Sequence, residues 1–253
     1  MSLYQYHRKF FEYQQPGSLA SARAVVPLVL RDLAPRSVLD VGCGAGAWLY
    51  AYGECGLNEL VGVDAAAVQA GHLLVDPARV QTADVGRPFR LGRQFDLVQC
   101  LEVAEHLDRG RSETLIDNLV AHGAMVAFSA APPGQGGEHH VNERPYEFWR
   151  RLFRRRGYLA CDWIRPLLRD LPDVEPWYRY NLLLFVRDDL QRALPPQLAA
   201  CRIPDGEPVP DVSPIAYRTR KRLLALLPVP LVTRMAAVKH RIALREQART
   251  ARP

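Results

Sequence analysis

The stretch "VLDVGCGAG" at 38–46, answered by "VGVD" at 61–64, constrains the fold of this chain more than any other feature. A short apolar run that ends in a Gly-rich turn reads as a buried parallel strand feeding a helix. Similar runs occur at 60–63, 95–101, 125–129 and 181–186, with a weaker one at 80–82. Helical spacing fills the intervals at 47–55, 65–74, 111–121 and 145–156, and a further helix at 18–31 precedes the first strand. Strands alternating with helices predict an α/β fold, a mainly parallel sheet covered on both faces. The 253 residues are enough for one such domain with an appendage.

The helix predicted at 145–156 opens on a proline and closes before Gly157. Phe148, Leu152 and Phe153 share one face, which leaves Arg150, Arg151, Arg154 and Arg155 for water. Beyond residue 190, prolines at 195, 196, 204, 208, 210 and 214 mark a linker or an irregular wrap. Two amphipathic helices follow at 215–227 and 231–247, separated by "PVP". The expected organisation is therefore a main domain over 1–190 and a Pro-rich, basic helical tail over 191–253.

Charge follows the same division. The net +6 is concentrated in residues 211–253, which carry +8 and leave the first 210 residues at −2. A basic pI that belongs to a tail gives no support for nucleic-acid binding by the body. The Arg/Lys and Leu residues of 218–227 could touch an anionic membrane surface, dock on the chain's own domain, or join two copies as a homodimer. No CxxC occurs among the five cysteines and no apolar run is long enough to span a membrane, so a cytoplasmic protein with reduced thiols is expected.

"GCGAGA" at 42–47 satisfies the dinucleotide pattern G-x-G-x-x-(G/A), yet Asp40 argues for another ligand. A carboxylate at the carboxyl end of the strand would repel a pyrophosphate at close range and suits a cation. S-adenosylmethionine carries an ammonium and a sulfonium, no phosphate, and ribose hydroxyls that seek acceptors. Asp40 near its methionine end, Asp64 at the second strand tip for the ribose and Asp84 after the third strand for the adenine amino group form a coherent set.

"VLDVGCGAGAWL", "VGVD", "TADV" and "FDLVQCLEVAEHL" together resemble the motifs of class I S-adenosylmethionine-dependent methyltransferases over about residues 18–187. The resemblance implies a seven-stranded Rossmann-like sheet of order 3-2-1-4-5-7-6 with its last strand antiparallel. It also implies that Asp40, Gly42, Cys43 and Gly44 line the methionine part and Asp64 the ribose. Ala65 would lie on the adenine face, Asp84 and Val85 at its edge, and Leu101 and Glu102 under the sulfonium. The product would be S-adenosylhomocysteine.

The methyl acceptor is expected where "EVAEHL" at 102–107 and the long polar loop at 130–145 leave the carboxyl ends of the strands. A histidine with pKa near neutrality suits removal of the acceptor's proton, and His106, His139 and His140 qualify by type, with Glu105 or Glu138 able to orient a ring. Adjacent histidines rarely face one ion and no HExxH appears, so no metal is expected. "GQGGEHHVNERPYEFWRRLFRRRGY" and "VEPWYRYNLLLFVRD" resemble methyltransferases of bacterial surface-polysaccharide and natural-product pathways. That resemblance implies a small-molecule or saccharide acceptor met by Glu138, Asn142, Trp177, Tyr178 and Arg179, with Asn181 beside them. The expected reaction is O-methylation; N-methylation of a small amine and a non-catalytic cofactor-binding module are the alternatives. Tyr4, Tyr6, Phe10, Phe11 and Tyr13 would tether the N-terminus or close over the site.

Overall fold

The computed structural model describes the backbone of residues 8–65 and 73–250, and side chains over 15–65, 73–238 and at Ile242. Seven strands form one sheet in the order β3-β2-β1-β4-β5-β7-β6. They are β1 Ser37–Val41, β2 Glu59–Asp64, β3 Val80–Thr82, β4 Leu97–Leu101, β5 Met125–Ser129, β6 Tyr158–Cys161 and β7 Leu183–Arg187. The first five pair in parallel, whereas β7 runs antiparallel to both β5 and β6.

Helices cover both faces. Successive residues of β1 point to opposite sides, so Val38 enters the core under α1 (Arg8–Leu33) and α2 (Ala47–Glu54), while Leu39 enters the core under α3 (Ser112–Val120) and α4 (Tyr146–Arg154). The first core holds Val25, Val26, Leu49 and Tyr52. In the second, the rings of Phe153 and Phe185 stack 3.8 Å apart between α4 and β7. Full burial of one such side chain is worth about 1.5–3 kcal/mol, so these two layers outweigh any single polar contact in fixing the sheet.

Several expectations change in the structure. Strand β6 was not anticipated, because "YLAC" is four buried residues with no alternation. Residues 181–182 do not belong to the last strand: α5 (Pro176–Asn181) ends there and β7 begins at Leu183. Helix α1 runs ten residues further toward the N-terminus than its predicted start at 18, through Pro16 and Gly17. Just past the local break, Ser21 Oγ donates to the Gly17 carbonyl one turn back at 2.7 Å and accepts the Glu175 N–H from another element at 2.9 Å. The helix expected at 65–74 lies almost wholly outside the described residues, and Ala65, His72's successor Leu73 and Leu74 are not helical. The side chains of Tyr4, Tyr6, Phe10, Phe11 and Tyr13 also lie outside them.

Arg150 is the clearest reversal. Predicted to face water, it is buried, and its guanidinium donates to the carbonyls of Ile203 at 3.2 Å, Pro204 at 2.6 Å and Glu207. The Pro-rich segment is thus a wrap: Ile203 N–H donates to Ala160 of β6 at 2.8 Å, and Asp162 N–H to Cys201 at 2.8 Å. Edge strand β6 is covered by this chain, which removes a row of unpaired backbone groups. The tail then forms α6 (Ile215–Leu224) and α7 (Val229–Thr250), the latter starting inside "PVP" because a proline tolerates a first helical turn.

Candidate active site

The turn after β1 is built by glycines. Gly42 and Gly46 have φ of 82° and 81°, a region that side chains rarely adopt. A Cβ on Gly42 would strike the side chain of Val103, and one on Gly46 would lie 2.8 Å from Val75 Cγ2. Gly42 N–H donates to Val63 at 2.7 Å, and Gly44 N–H donates to Asp64 Oδ2 at 2.9 Å, so the turn is pinned to the tip of β2. Beneath it lies Asp40, 3% exposed, with Oδ2 lacking a hydrogen-bond partner among the described residues. Burial pushes its carboxyl up to about 7, an effect partly offset by Gln99 on β4 and reinforced by Asp64. Cys43, also buried, has its thiol held well above the ordinary range, so it stays neutral.

These residues fit a cationic ligand. An orphaned buried carboxyl oxygen can be satisfied by an ammonium, and a turn without Cβ atoms lets a ligand approach the backbone. Ala65 continues from Asp64 and is half-buried. Asp84 is already engaged: it accepts from Gly86 N–H at 3.0 Å and from Arg111 Nη1 at 2.9 and 3.2 Å, with Arg87 3.3 Å away. Val85 is buried beside it, its carbonyl held by Asn118 at 3.0 Å.

Across the sheet end, β4 finishes in buried Leu101 and in Glu102, whose φ of 55° is unusual for a side chain with a Cβ. Ser129 holds that conformation, its carbonyl and hydroxyl accepting the Glu102 N–H at 3.0 and 3.1 Å. The Glu102 carboxylate accepts from Gln135 Nε2 at 2.6 Å and Asn181 Nδ2 at 3.2 Å, while Asn181 also donates to Gln135 Oε1 at 2.7 Å and accepts from Tyr146 Oη at 2.8 Å. Desolvation raises the Glu102 carboxyl despite these donors.

The loop at 130–145 is drawn onto this corner. Glu105 receives the N–H groups of Val141 and Asn142 on its carbonyl at 2.9 and 3.0 Å. His106 and His140 meet edge to face with ring centroids 4.9 Å apart. His140 Nδ1 lies 3.0 Å from Glu143 Oε1, and the Glu143 carboxylate accepts the Gly134 and Gly136 N–H groups, each at 2.7 Å. His106 Nδ1 faces the His139 carbonyl at 3.4 Å, and burial holds its ring well below the usual histidine range. His139 has a φ of 59°, and burial lowers its ring, a shift that Asp108 and Glu138 oppose.

The other anticipated acceptor contacts divide. Glu138 is half-buried on the same loop. Asn142 is fully buried, donating to the Ala104 carbonyl at 3.1 Å and Ser112 Oγ at 2.9 Å and accepting from Arg144 at 3.0 Å. Tyr178 packs edge-on against Trp48 and shares a hydrogen bond with Ser18 Oγ, Trp177 packs on the same core, and Arg179 donates to the carbonyls of Leu171, Pro172 and Val174. Gln135, Tyr146 and Glu143 were not anticipated; the one signal was that polar residues interrupt a loop that holds three glycines and three prolines.

The basic tail lies against this loop. Arg220 donates to the Gln135 carbonyl at 3.1 Å, the Tyr217 ring meets Tyr180 at 5.3 Å, and buried Lys221 pairs with Asp211 at 2.7 Å. A Cβ on Gly134 would collide with the Lys221 carbonyl. Of the three readings of the tail, docking on the chain's own domain is the one these contacts describe. Leu223 and Leu226 stay exposed, and among the described residues no helix is long and apolar enough to cross a membrane.

Residues 11–124 match a family model described as a methyltransferase domain. The sugar N-methyltransferase KedS8 of Streptoalloteichus superposes with a TM-score of 0.50 at 21% identity, over 74% of this chain and 96% of that one. The magnesium protoporphyrin IX methyltransferase of Synechocystis, solved with bound S-adenosylmethionine, gives 0.51 at 19% identity over 73% and 86%. DesVI of Streptomyces venezuelae gives 0.42 at 19% identity, and this chain covers 62% of its length and aligns over 53% of its own. No curated protein sequence matches significantly. At such identities a structural likeness establishes the fold: this chain has the seven-stranded class I methyltransferase fold, and the first part of it is similar to a methyltransferase domain.

Proposed function

We propose that the chain transfers a methyl group from S-adenosylmethionine to an oxygen of a small-molecule or saccharide acceptor in the cytoplasm. The observation that carries this reading is the buried Asp40 carboxyl with its unpartnered Oδ2, under a glycine turn tied to Asp64. When bound, the cofactor supplies a methyl group activated on a sulfonium. Gly42, Cys43 and Gly44 would line its methionine end, Asp64 and Ala65 the ribose and adenine face, and Leu101 and Glu102 the floor. Asp84 keeps Arg111 and has remaining lone pairs for an adenine amino group, with Val85 at its edge.

On the acceptor side, His140 is the best supported base of the three histidines. Glu143 fixes its Nδ1, which leaves Nε2 to take a proton. Glu102, Gln135, Asn181 and Tyr146 form a connected polar surface suited to hydroxyls. Asn142 spends its amide on the fold and Arg179 its Nη2 on three carbonyls, so they support the acceptor site by shaping it rather than by contact. The pairing of Glu102 with nearby Glu105 favours a second reading, N-methylation of an amino sugar, and the fold likeness to a sugar N-methyltransferase agrees with it.

Calorimetry with S-adenosylmethionine and S-adenosylhomocysteine tests the cofactor, and full affinity in Asp64→Ala would falsify its assignment. Turnover on matched hydroxyl and amine sugars separates the two acceptors. His140→Ala is expected to slow O-methylation by about 100-fold or more, the usual worth of a positioned base. Cofactor binding without methylated product from either panel would favour the non-catalytic module.

A further inference from the structure

The two tail helices carry their larger apolar side chains on the outside. In α7, Val232, Thr233, Ala236 and Ala237 are half-buried, whereas Leu231, Met235, Val238 and Ile242 are exposed. The exposed set recurs at i, i+4, i+7 and i+11, one continuous stripe along a helix. A helix packed on a globular body in water ordinarily turns that stripe inward and shows its polar residues to solvent. In α6 the inversion is sharper: Lys221 is 5% exposed and paired with Asp211, while Leu226, just past the helix, is 81% exposed. Ile215 and Leu223 are exposed as well. Of the large apolar side chains exposed among the described residues, all but Leu167 lie within 215–242, so they form a patch rather than a scatter.

The inward side of both helices is already occupied. Arg220 donates to the Gln135 carbonyl, and a Cβ on Gly136 would lie 3.0 Å from Val232 Cγ1 and 3.5 Å from Leu224 Cδ1, so the loop at 130–145 packs there. For the outward side, charge selects the cover. Between Asp211 and Glu246 the chain has eight Lys/Arg and no acidic residue. Arg218, Arg222 and Arg234 are exposed, and helical spacing sets them beside Ile215, Leu226 and Leu231. A second copy of the tail would set one such basic run against another, and the first 210 residues offer only −2 in exchange. The cover must therefore be apolar and anionic together. The boundary between headgroups and acyl chains of an anionic bilayer is both. The stripe is also free of the Trp and Tyr that anchor most protein–protein interfaces.

We propose that the outward face of α6 and α7 binds the surface of a membrane that contains anionic lipid. Leu226, Leu231, Met235, Val238 and Ile242 enter the acyl boundary, and Arg218, Arg222 and Arg234 remain at the level of the lipid phosphates. Among the described residues no helix is long and apolar enough to cross a membrane, so the contact is peripheral. From Leu231 to Ile242 the stripe is roughly 16 Å long, and most of its side chains are only about half exposed, so charge must contribute beside apolar burial. The attachment is accordingly reversible and weakens with salt. It stands on the tail alone, whichever acceptor the enzyme methylates.

The test floats the full-length protein with vesicles of phosphatidylcholine alone and with vesicles in which one third is phosphatidylglycerol. Binding at least about tenfold tighter to the anionic vesicles is expected, falling as salt is raised. The triple variant Leu226→Asp, Met235→Asp, Val238→Asp changes exposed positions only; it should keep the circular dichroism melt and lose at least about tenfold in vesicle affinity. Arg218→Gln, Arg222→Gln and Arg234→Gln should each cost about fivefold, whereas Arg36→Gln, at the amino end of β1, should stay within about twofold. Equal binding to the two compositions, binding to neither, or wild-type binding by the folded triple variant overturns the membrane face. So does a dimer, seen by light scattering, that the triple variant dissolves in protein leaving the vesicles unbound, because the cover is then a second copy. Retention of soluble polyglutamate without vesicle binding overturns it too, in favour of an acidic protein. S-adenosylmethionine affinity should be unchanged in every variant; its absence in the wild type would remove the functional reading and leave the membrane face standing.

Discussion

The two halves of the site are made in different ways. On the cofactor side, Asp40, the glycine turn and Asp64 belong to adjacent strands and are joined largely through backbone groups within a span of 25 residues. On the proposed acceptor side, Glu102 meets Gln135 from 33 positions away, Asn181 from 79, and Arg220 reaches Gln135 across 85. The first half is dictated by local strand and turn chemistry, and the second exists only once the sheet, the long loop and the tail have all assembled.

That contrast can be broken most forcefully at Gly134. Gly134→Ala puts a methyl group into the Lys221 carbonyl at a φ of 81°, and a loss of roughly 3 kcal/mol or more is expected from strain and overpacking together. Denaturant melts should show it, and an unchanged midpoint would mean that the tail does not depend on this contact. Arg150→Ala comes next, at about 2–3 kcal/mol, since it strands three carbonyls of the Pro-rich wrap; Arg151→Ala, one residue on and exposed, should stay within about 0.5 kcal/mol.

On the cofactor side the effect belongs to binding. Asp64→Ala should weaken S-adenosylmethionine by about 2 kcal/mol, near 30-fold, with a smaller change in melting, because one charge-assisted hydrogen bond to the turn is lost with it. The same side should also show a pH dependence from Asp40. Its folded pKa of about 7 lies above the unfolded value, so protonation favours the fold, and this group's contribution to stability declines as pH rises from about 4 to 7. A cationic ligand prefers the ionised form, so affinity should rise by several-fold between about pH 6 and 8. In Asp40→Asn both trends should vanish; if they persist, another group carries them.

What the sequence discloses follows from the same division. Strand ends, the turn and the three aspartates are legible because period and punctuation are local signals. Strand β6 is illegible, since four buried residues leave no period to read. Arg150 was assigned to water on helical spacing, yet a wrap more than fifty residues later claims it. His106 and His140 were legible by type, but not their partners: Glu143 reveals its part only through the two glycine N–H groups that hold it. The burial of Glu105 has no sequence signature at all, because a buried acid and a surface acid are written with the same letter.

Gly42 joins the two halves at one point. Its missing side chain is filled by Val103, which follows Glu102 and precedes Glu105 in the turn after β4. The two turns are therefore interlocked like gear teeth, without space for either to advance alone. A shift that widened the proposed acceptor corner would press on the glycine turn through a single valine, so under that reading the geometry of one site bears on that of the other.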